Sequence, residues 1–147
     1  MCLSRSGLCA GVVLAIVFPA AGVFGQNAVR SDSELLQGEW ICTATVKDGE
    51  KVTTYVGVKA QIEGENLTWH FPKRDGTYET QKNRFRIDPA QKHFDWWRPE
   101  NPNRVEYRLY SVTANELRWS SHVDWKTRPL SFEKGRWQFT MQRVKNR

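Results

Sequence analysis

The sequence predicts an all-β protein whose antiparallel strands run up and down and close into a barrel of about eight strands. Apolar residues recur at every second position over many short segments, and turn-forming residues separate these segments. No segment with a helical period is long enough for a crossover helix. Closing the sheet removes its exposed edges, and the apolar faces then line the interior. A β-sandwich is the alternative architecture.

The N-terminus, residues 1–25, is predicted to be a secretory signal peptide. Arg5 supplies the positive charge, residues 8–18 the apolar segment, and Pro19 precedes a run of small residues. An uncleaved membrane anchor is the alternative, because the uncharged run over residues 6–26 approaches spanning length. We expect cleavage, export to the periplasm or the extracellular space, and no stable membrane span afterwards.

The remainder of the 147-residue chain has the length of a single domain. Residues 26–34 are predicted to form a flexible polar lead, and residues 35–147 the barrel domain. The net charge of +6 is spread without a dense Lys/Arg run, which favours a solvated basic surface over a site for anionic envelope polymers, lipid head groups or nucleic acid. The expected export also argues against a nucleic-acid partner. Without the leader, Cys42 is the only cysteine, so we expect no internal disulfide and a buried thiol. We expect a monomer without a cofactor.

The first strand of the predicted barrel follows one helical turn over residues 33–36, for which Asp32 or Ser33 is the expected cap. The strand's apolar face is predicted to carry Trp40, Cys42, Ala44 and Val46, and its polar face Thr43, Thr45 and Lys47. A hairpin turn is expected at residues 48–49, Asp-Gly.

The later strands repeat this alternation, and short turns rich in Gly, Asp, Asn and Pro separate them. Their apolar faces carry Val58, Ala60 and Ile62; Leu67, Trp69 and Phe71; Phe85 and Ile87; Phe94 and Trp96; Val105, Tyr107 and Leu109; Leu117 and Trp119; and Trp137, Phe139 and Met141. Residues 122–135 are the least regular stretch, and a lid, an extra strand and a simple loop all remain open for it.

Several short motifs resemble known families when taken in order. Residues 36–40, Leu-Gln-Gly-Glu-Trp, resemble the Leu-x-Gly-x-Trp opening of small lipocalin-like domains. The whole stretch 35–144 is similar to an uncharacterised planctomycete family of small secreted proteins. The matching features are that opening and the segments 48–49, 85–89, 92–95, 107–110, 116–119 and 139–143.

The resemblance implies a lipocalin-like barrel in a secreted bacterial protein, and it implies no activity. In lipocalins the tryptophan of the opening motif closes one barrel end, and a basic residue of the last strand lies over it. Trp40 takes the first role on this basis, and Arg143 takes the second through a cation–π contact. Gly38, Trp40 and Arg143 are therefore expected to form a structural motif.

Candidate ligand-binding residues combine aromatic rings with positive charge. They are Trp96, Trp97 and Arg98 at the end of one strand, and Trp125 in the irregular stretch. If Trp96 faces inward, Trp97 lies outside or at the rim, where a ring beside Arg98 can stack on a sugar or bind an anionic polymer. The alternative is that Trp97 packs under the loop that follows it.

Catalytic and metal-binding patterns are weak in this sequence. His70, His93 and His122 lack the close spacing of a metal motif, so we predict no metal site. Residues 120–122, Ser-Ser-His, stand near Asp124, but adjacent strand residues point to opposite faces and cannot form a triad locally. The carboxylates Asp95, Glu100, Glu106 and Asp124 are available for hydrolysis, but the sequence does not place them together.

Three functions follow from these observations. The preferred one is an exported, non-enzymatic barrel that binds a small apolar or amphipathic ligand or a cell-envelope component. The second is a protein- or glycan-interaction module that uses an aromatic and basic rim, with the barrel as a scaffold. The third is a hydrolase with carboxylates or Ser/His at the barrel mouth.

Overall fold

The structure is a computed structural model that describes residues 30–124 and 126–145. One short helix, α1 (Asp32–Leu36), precedes nine strands within these residues. The strands are β1 (Gly38–Lys47), β2 (Glu50–Val52), β3 (Lys59–Glu63), β4 (Asn66–Pro72), β5 (Tyr78–Asp88), β6 (His93–Arg98), β7 (Asn101–Val112), β8 (Glu116–Ser121) and β9 (Trp137–Arg143). No helix among the described residues is long and apolar enough to cross a membrane.

Eight of the strands form a closed antiparallel barrel, which confirms the predicted all-β, up-and-down architecture. Strands β3 to β9 follow one another in sequence order, and β1 pairs with β3 on one side and with β9 on the other. The β1–β9 pairing runs from Trp40 opposite Arg143 to Lys47 opposite Trp137. The extra strand, β2, forms a hairpin with the end of β1 beyond the reach of β3.

A β-bulge in β1 reverses which side chains face inward over the second half of the strand, contrary to the prediction. The register against β9 shifts between Cys42 and Ala44, so the side chains beyond this point change face. Thr45 is buried and Ala44 is exposed, the reverse of the prediction. The Thr45 hydroxyl lies 3.5 Å from the Cys42 thiol, which gives this buried polar group a hydrogen-bonding neighbour.

Strand β7 is turned the other way from the prediction. Its charged residues Glu106 and Arg108 lie opposite Trp96 and Phe94 of β6, and their side chains face the barrel interior. Tyr107, predicted to lie on the inner face, contacts Arg128 on the outside of the barrel. The reason is at the end of the strand, where Tyr110 is fully buried in the core and sets the face of every second residue before it.

Helix α1 lies across one end of the barrel. Its cap is Ser31 and not Asp32 or Ser33 as predicted, because Ser31 and Glu34 form a reciprocal capping box. Asp32 is then free to pair with the Lys92 ammonium and to accept a hydrogen bond from the Tyr110 hydroxyl, both at 2.5 Å. These contacts anchor the helix to β7 and to the turn before β6.

The described part of the irregular stretch, residues 122–124 and 126–135, lies against the outer wall of the barrel. Gly135 sits against Ser120, whose hydroxyl donates a 2.9 Å hydrogen bond to the Phe132 carbonyl. The Arg118 guanidinium lies 5.2 Å from the centre of the Phe132 ring. Because Ser120 and Arg118 alternate with the inward-facing Trp119, the stretch covers the outside of β8. The described part of it contains no strand.

Candidate functional site

Gly38 and Trp40 of the opening motif meet Arg143 of the last strand at the α1 end of the barrel. The guanidinium of Arg143 lies 4.2 Å from the centre of the Trp40 ring, in a cation–π contact. It also donates to the backbone carbonyls of Leu35, Gln37 and Ala114. Gly38 adopts a φ of +111°, and a Cβ there would lie 2.9 Å from Arg143. These contacts give this end of the barrel a structural role.

A cavity of about 230 Å³ lies toward the opposite end of the barrel. Its walls are mostly aromatic and apolar, and its polar groups come from β5, β6 and β7. The lining residues are Cys42, Tyr55, Val58, Trp69, Phe71, Gln81, Trp96, Arg98, Glu106, Arg108, Phe139 and Met141. Apolar walls with a few polar groups are typical of sites for small amphipathic molecules. We refer to this space as the lumen cavity.

Arg108 and Glu106 form an ion pair inside the barrel. The Arg108 Nη2 lies 3.1 Å from the Glu106 Oε2, and the indole N–H of Trp96 donates to the same oxygen at 3.0 Å. The Arg108 guanidinium also lies 4.4 Å from the centre of the Trp96 ring and 5.9 Å from that of Phe139. The side chain of Arg108 is only 12% exposed, so this charge is largely removed from water.

Burial and the ion pair act in opposite directions on Arg108. Burial, the larger effect, lowers the pKa of the guanidinium, and the nearby Glu106 carboxylate raises it. The Nε–H of Arg108 is buried without a hydrogen-bond partner among the described residues, and so are the indole N–H groups of Trp69 and Trp119. Arg108 and Trp69 both line the lumen cavity, whereas Trp119 does not. Unpaired buried donors are rare in folded proteins.

A second cavity, of about 250 Å³, adjoins the lumen cavity and shares Gln81, Trp96, Arg98 and Glu106 with it. It contains three of the predicted ligand-binding residues. Trp96 is buried, Trp97 is half-buried beside an irregularity in the β6–β7 pairing, and Arg98 is exposed and donates to the Gln81 side chain at 3.1 Å. The fourth predicted residue, Trp125, lies outside the described residues.

A charged cluster on the outer wall connects residues 122–135 to β6 and β7. Arg128 forms an ion pair with Asp95 at 2.5 Å, and Arg86 approaches the other oxygen of Asp95 at 3.3 Å. Arg128 also donates a hydrogen bond to the backbone carbonyl of Arg108. The irregular stretch thus contacts, from outside, the same residue whose side chain faces the lumen cavity.

The Ser/His and metal-ligand candidates do not come together. Two of the candidate carboxylates, Glu100 and Glu106, do line the same second cavity, and Glu106 there accepts hydrogen bonds from Trp96 and Arg108. The Ser120 hydroxyl is bonded to a backbone carbonyl, and His122 Nδ1 accepts a hydrogen bond from the Asp124 backbone N–H. Within residues 30–124 and 126–145, no group of three or more His, Cys, Asp or Glu side chains is placed to hold a metal ion. Cys42 is buried as a free thiol, and burial, opposed by weaker hydrogen bonds to Thr45 and Ala44, raises its pKa.

The sequence analysis did not identify the central residue of the lumen cavity. Arg108 stands in a strand whose apolar residues at 105, 107 and 109 indicated the opposite orientation. The apolar residues Tyr110 and Val112 lie on the same face of the strand as Arg108. Extending the alternation to them would have indicated that Arg108 faces inward. Tyr55 was also missed. It lies between β2 and β3 and packs edge-on against Trp137 and Phe139.

Comparison with solved structures finds a lipocalin-like protein from Bacteroides uniformis, with a TM-score of 0.57. The two sequences are 12% identical over an alignment that covers 74% of this chain and 98% of that chain. No family model matches the sequence, and no curated protein matches it either. The planctomycete resemblance therefore stays a prediction. What the similarity shows is the fold, and the chain folds as a lipocalin-like barrel.

Proposed function

We propose that this chain is an exported, non-enzymatic lipocalin-like domain that binds a small amphipathic ligand inside its barrel. The observation that carries the proposal is the lumen cavity, in which aromatic side chains surround the ion pair formed by Arg108 and Glu106. An apolar cavity with one polar group orients a ligand that has an apolar body and a polar head.

The size of the lumen cavity limits the ligand. At about 230 Å³ the cavity is small beside the roughly 300–1,000 Å³ that is typical of ligand pockets, which favours a compact ligand or the end group of a longer one. The proposal is therefore a small molecule or the end group of a cell-envelope component.

Export is part of the proposal because of residues 1–25, whose charge and apolar pattern fit a cleaved signal peptide. The resemblance to a planctomycete family of small secreted proteins supports the same location. The absence of enzymatic activity is proposed because the hydroxyl of Ser120, the nucleophile candidate beside His122, is bonded to a backbone carbonyl on the outer wall.

The proposal is tested by native mass spectrometry of the protein from an exporting host. We expect a mass excess under native conditions that disappears on denaturation, and whose identity gives the ligand. Gln81→Trp fills the lumen cavity and should abolish the excess, whereas Lys82→Trp, on the exposed face of the same strand, should retain it. An excess that survives in Gln81→Trp would place the ligand elsewhere and contradict the proposal.

The second cavity favours one alternative, a glycan-binding rim. Trp97 lines it together with the amide side chains of Gln81 and Asn83 and the guanidinium of Arg98. A ring beside amide and charged groups suits a sugar, because the ring stacks on the apolar face of the sugar while the polar groups bond its hydroxyls. A glycan array should then give binding that Trp97→Ala removes and Gln81→Trp alters. Binding that is unchanged in Trp97→Ala would reject this alternative.

A further inference from the structure

The polar groups around Arg108 in the lumen cavity are incompletely paired. The Arg108 Nε–H and the Trp69 indole N–H are buried without partners among the described residues. The carboxylate oxygen nearest to Arg108, the Oε2 of Glu106, already accepts hydrogen bonds from Arg108 and Trp96. The Arg108 side chain lines the cavity with 12% of its surface exposed, so its guanidinium is where a ligand can supply a further acceptor.

The charges that line the cavity also favour a ligand that accepts hydrogen bonds. They are the cations Arg98 and Arg108 and the anion Glu106, which leaves one positive charge in excess. Arg98 is exposed at the rim and bonds the neutral Gln81, whereas Arg108 is enclosed by the rings of Trp96 and Phe139. A largely buried guanidinium whose single carboxylate partner is shared with another donor attracts a second anion.

We propose that the ligand of the lumen cavity is a small monocarboxylate with a compact apolar body, whose carboxylate binds the Arg108 guanidinium. The planar carboxylate fits the geometry of guanidinium N–H donors, and one negative charge matches the one positive charge in excess. The apolar body then packs against Tyr55, Phe71 and Phe139, which line the same cavity. This inference rests on the proposed binding of a ligand in the barrel and gives the chemical class of that ligand.

The test compares three probes that share an aromatic body and differ in charge: phenylacetate, phenylacetamide and phenethylammonium. Binding to the mature protein is measured by isothermal titration calorimetry at pH 7. We expect phenylacetate to bind at least tenfold more tightly than the amide, and the ammonium probe to bind most weakly. Gln81→Trp should prevent phenylacetate binding, whereas Lys82→Trp and Trp97→Ala should preserve it. Because Gln81 lines both cavities and Trp97 only the second one, this pattern assigns the binding to the lumen cavity.

Variants of the ion pair separate recognition of the carboxylate from a merely structural role. Arg108→Met should weaken phenylacetate binding at least tenfold, and Arg108→Lys should weaken it less. Glu106→Gln should strengthen binding several-fold, because it frees the guanidinium of its competing anion while an amide oxygen remains for Trp96. Arg86→Met, on the outer wall, is the matched control and should leave the affinity unchanged.

The outcomes distinguish this inference from the proposed function. If phenylacetamide or phenethylammonium binds as tightly as phenylacetate, and Gln81→Trp still blocks it, a ligand binds in the barrel but the carboxylate inference is wrong. If Glu106→Gln weakens phenylacetate binding as much as Arg108→Met does, the pair only supports the structure and the inference also fails. Absence of binding by all three probes overturns the inference, and the native mass excess then decides the proposed function separately.

Discussion

The contact between Arg143 and the α1 end of the barrel gives the sharpest prediction on stability. Arg143→Met keeps most of the apolar stem and removes the guanidinium. Three backbone carbonyls lose a charged donor, and the ring of Trp40 loses its cation. We expect the barrel to fold but to be substantially less stable.

The magnitude follows from these contacts. Because the side chain of Arg143 is only half-buried, water replaces part of each bond, and about 0.7–1 kcal/mol for each of the three hydrogen bonds is appropriate. The cation–π contact adds about 0.5–1 kcal/mol. The free energy of unfolding should therefore fall by about 3 kcal/mol, which lowers Tm by about 12 °C at roughly 4 °C per kcal/mol for a domain of this size.

Urea unfolding followed by tryptophan fluorescence measures this change. The matched control is Arg84→Met, which removes an ion pair of 2.9 Å to Glu65 between side chains that are 46% and 72% exposed. That pair should contribute less than about 0.5 kcal/mol. If Arg143→Met costs no more than Arg84→Met, the contacts of Arg143 do not stabilise the barrel and the reasoning is refuted.

Two further predictions concern the same end of the barrel. Gly38→Ala should lower the free energy of unfolding by about 2 kcal/mol, because Gly38 has a φ of +111° and an added Cβ would lie 2.9 Å from an Arg143 nitrogen. The control is Gly76→Ala, at a φ of +83° with open space around the Cβ, which should lower it by about 1 kcal/mol. Equal losses of stability for the two variants in urea unfolding would contradict the steric argument. For Asp32, burial raises the carboxyl pKa, but hydrogen bonds from Lys92 and Tyr110 together with the Lys92 charge outweigh it, and the pKa is lowered. The resulting stabilisation is present above the pKa of about 4 that Asp32 has in the unfolded chain, and it is lost as the pH falls through the lower pKa of the folded state. The difference in unfolding free energy between wild type and Asp32→Asn should therefore shrink below about pH 4. A difference that stays constant with pH would contradict this prediction.

The architecture could be predicted from the sequence because it depends on features that repeat. Alternation in the later strands and the short turns between them are signals of an antiparallel sheet, and each strand adds to the same conclusion. Trp69 and Trp119, for example, were assigned to apolar faces and are buried in the core. An error in one strand therefore leaves the fold unchanged.

The candidate site could not be predicted in the same way, because it depends on the facing of single strands. The bulge after Cys42 changes the face of β1, and no residue type near it signals an extra residue. In β7, both faces carry apolar residues, and only burial of Tyr110 decides between them. Polar groups at 106 and 108 are tolerated inside because that part of the barrel contains a cavity. A period-two pattern alone favours the opposite arrangement.

The pairing of β1 with β9 has a consequence for the order of folding. Trp40 and Arg143 are neighbours across the sheet although about 100 residues separate them along the chain. Pairing β1 with β9 therefore has one of the largest loop-closure entropy costs in the fold. Until β9 docks, the edges of β1 and β8 lack a partner. We expect a chain truncated before residue 137 to be an open sheet prone to intermolecular pairing, and not a smaller barrel. Docking of the last strand therefore closes the sheet and removes both exposed edges.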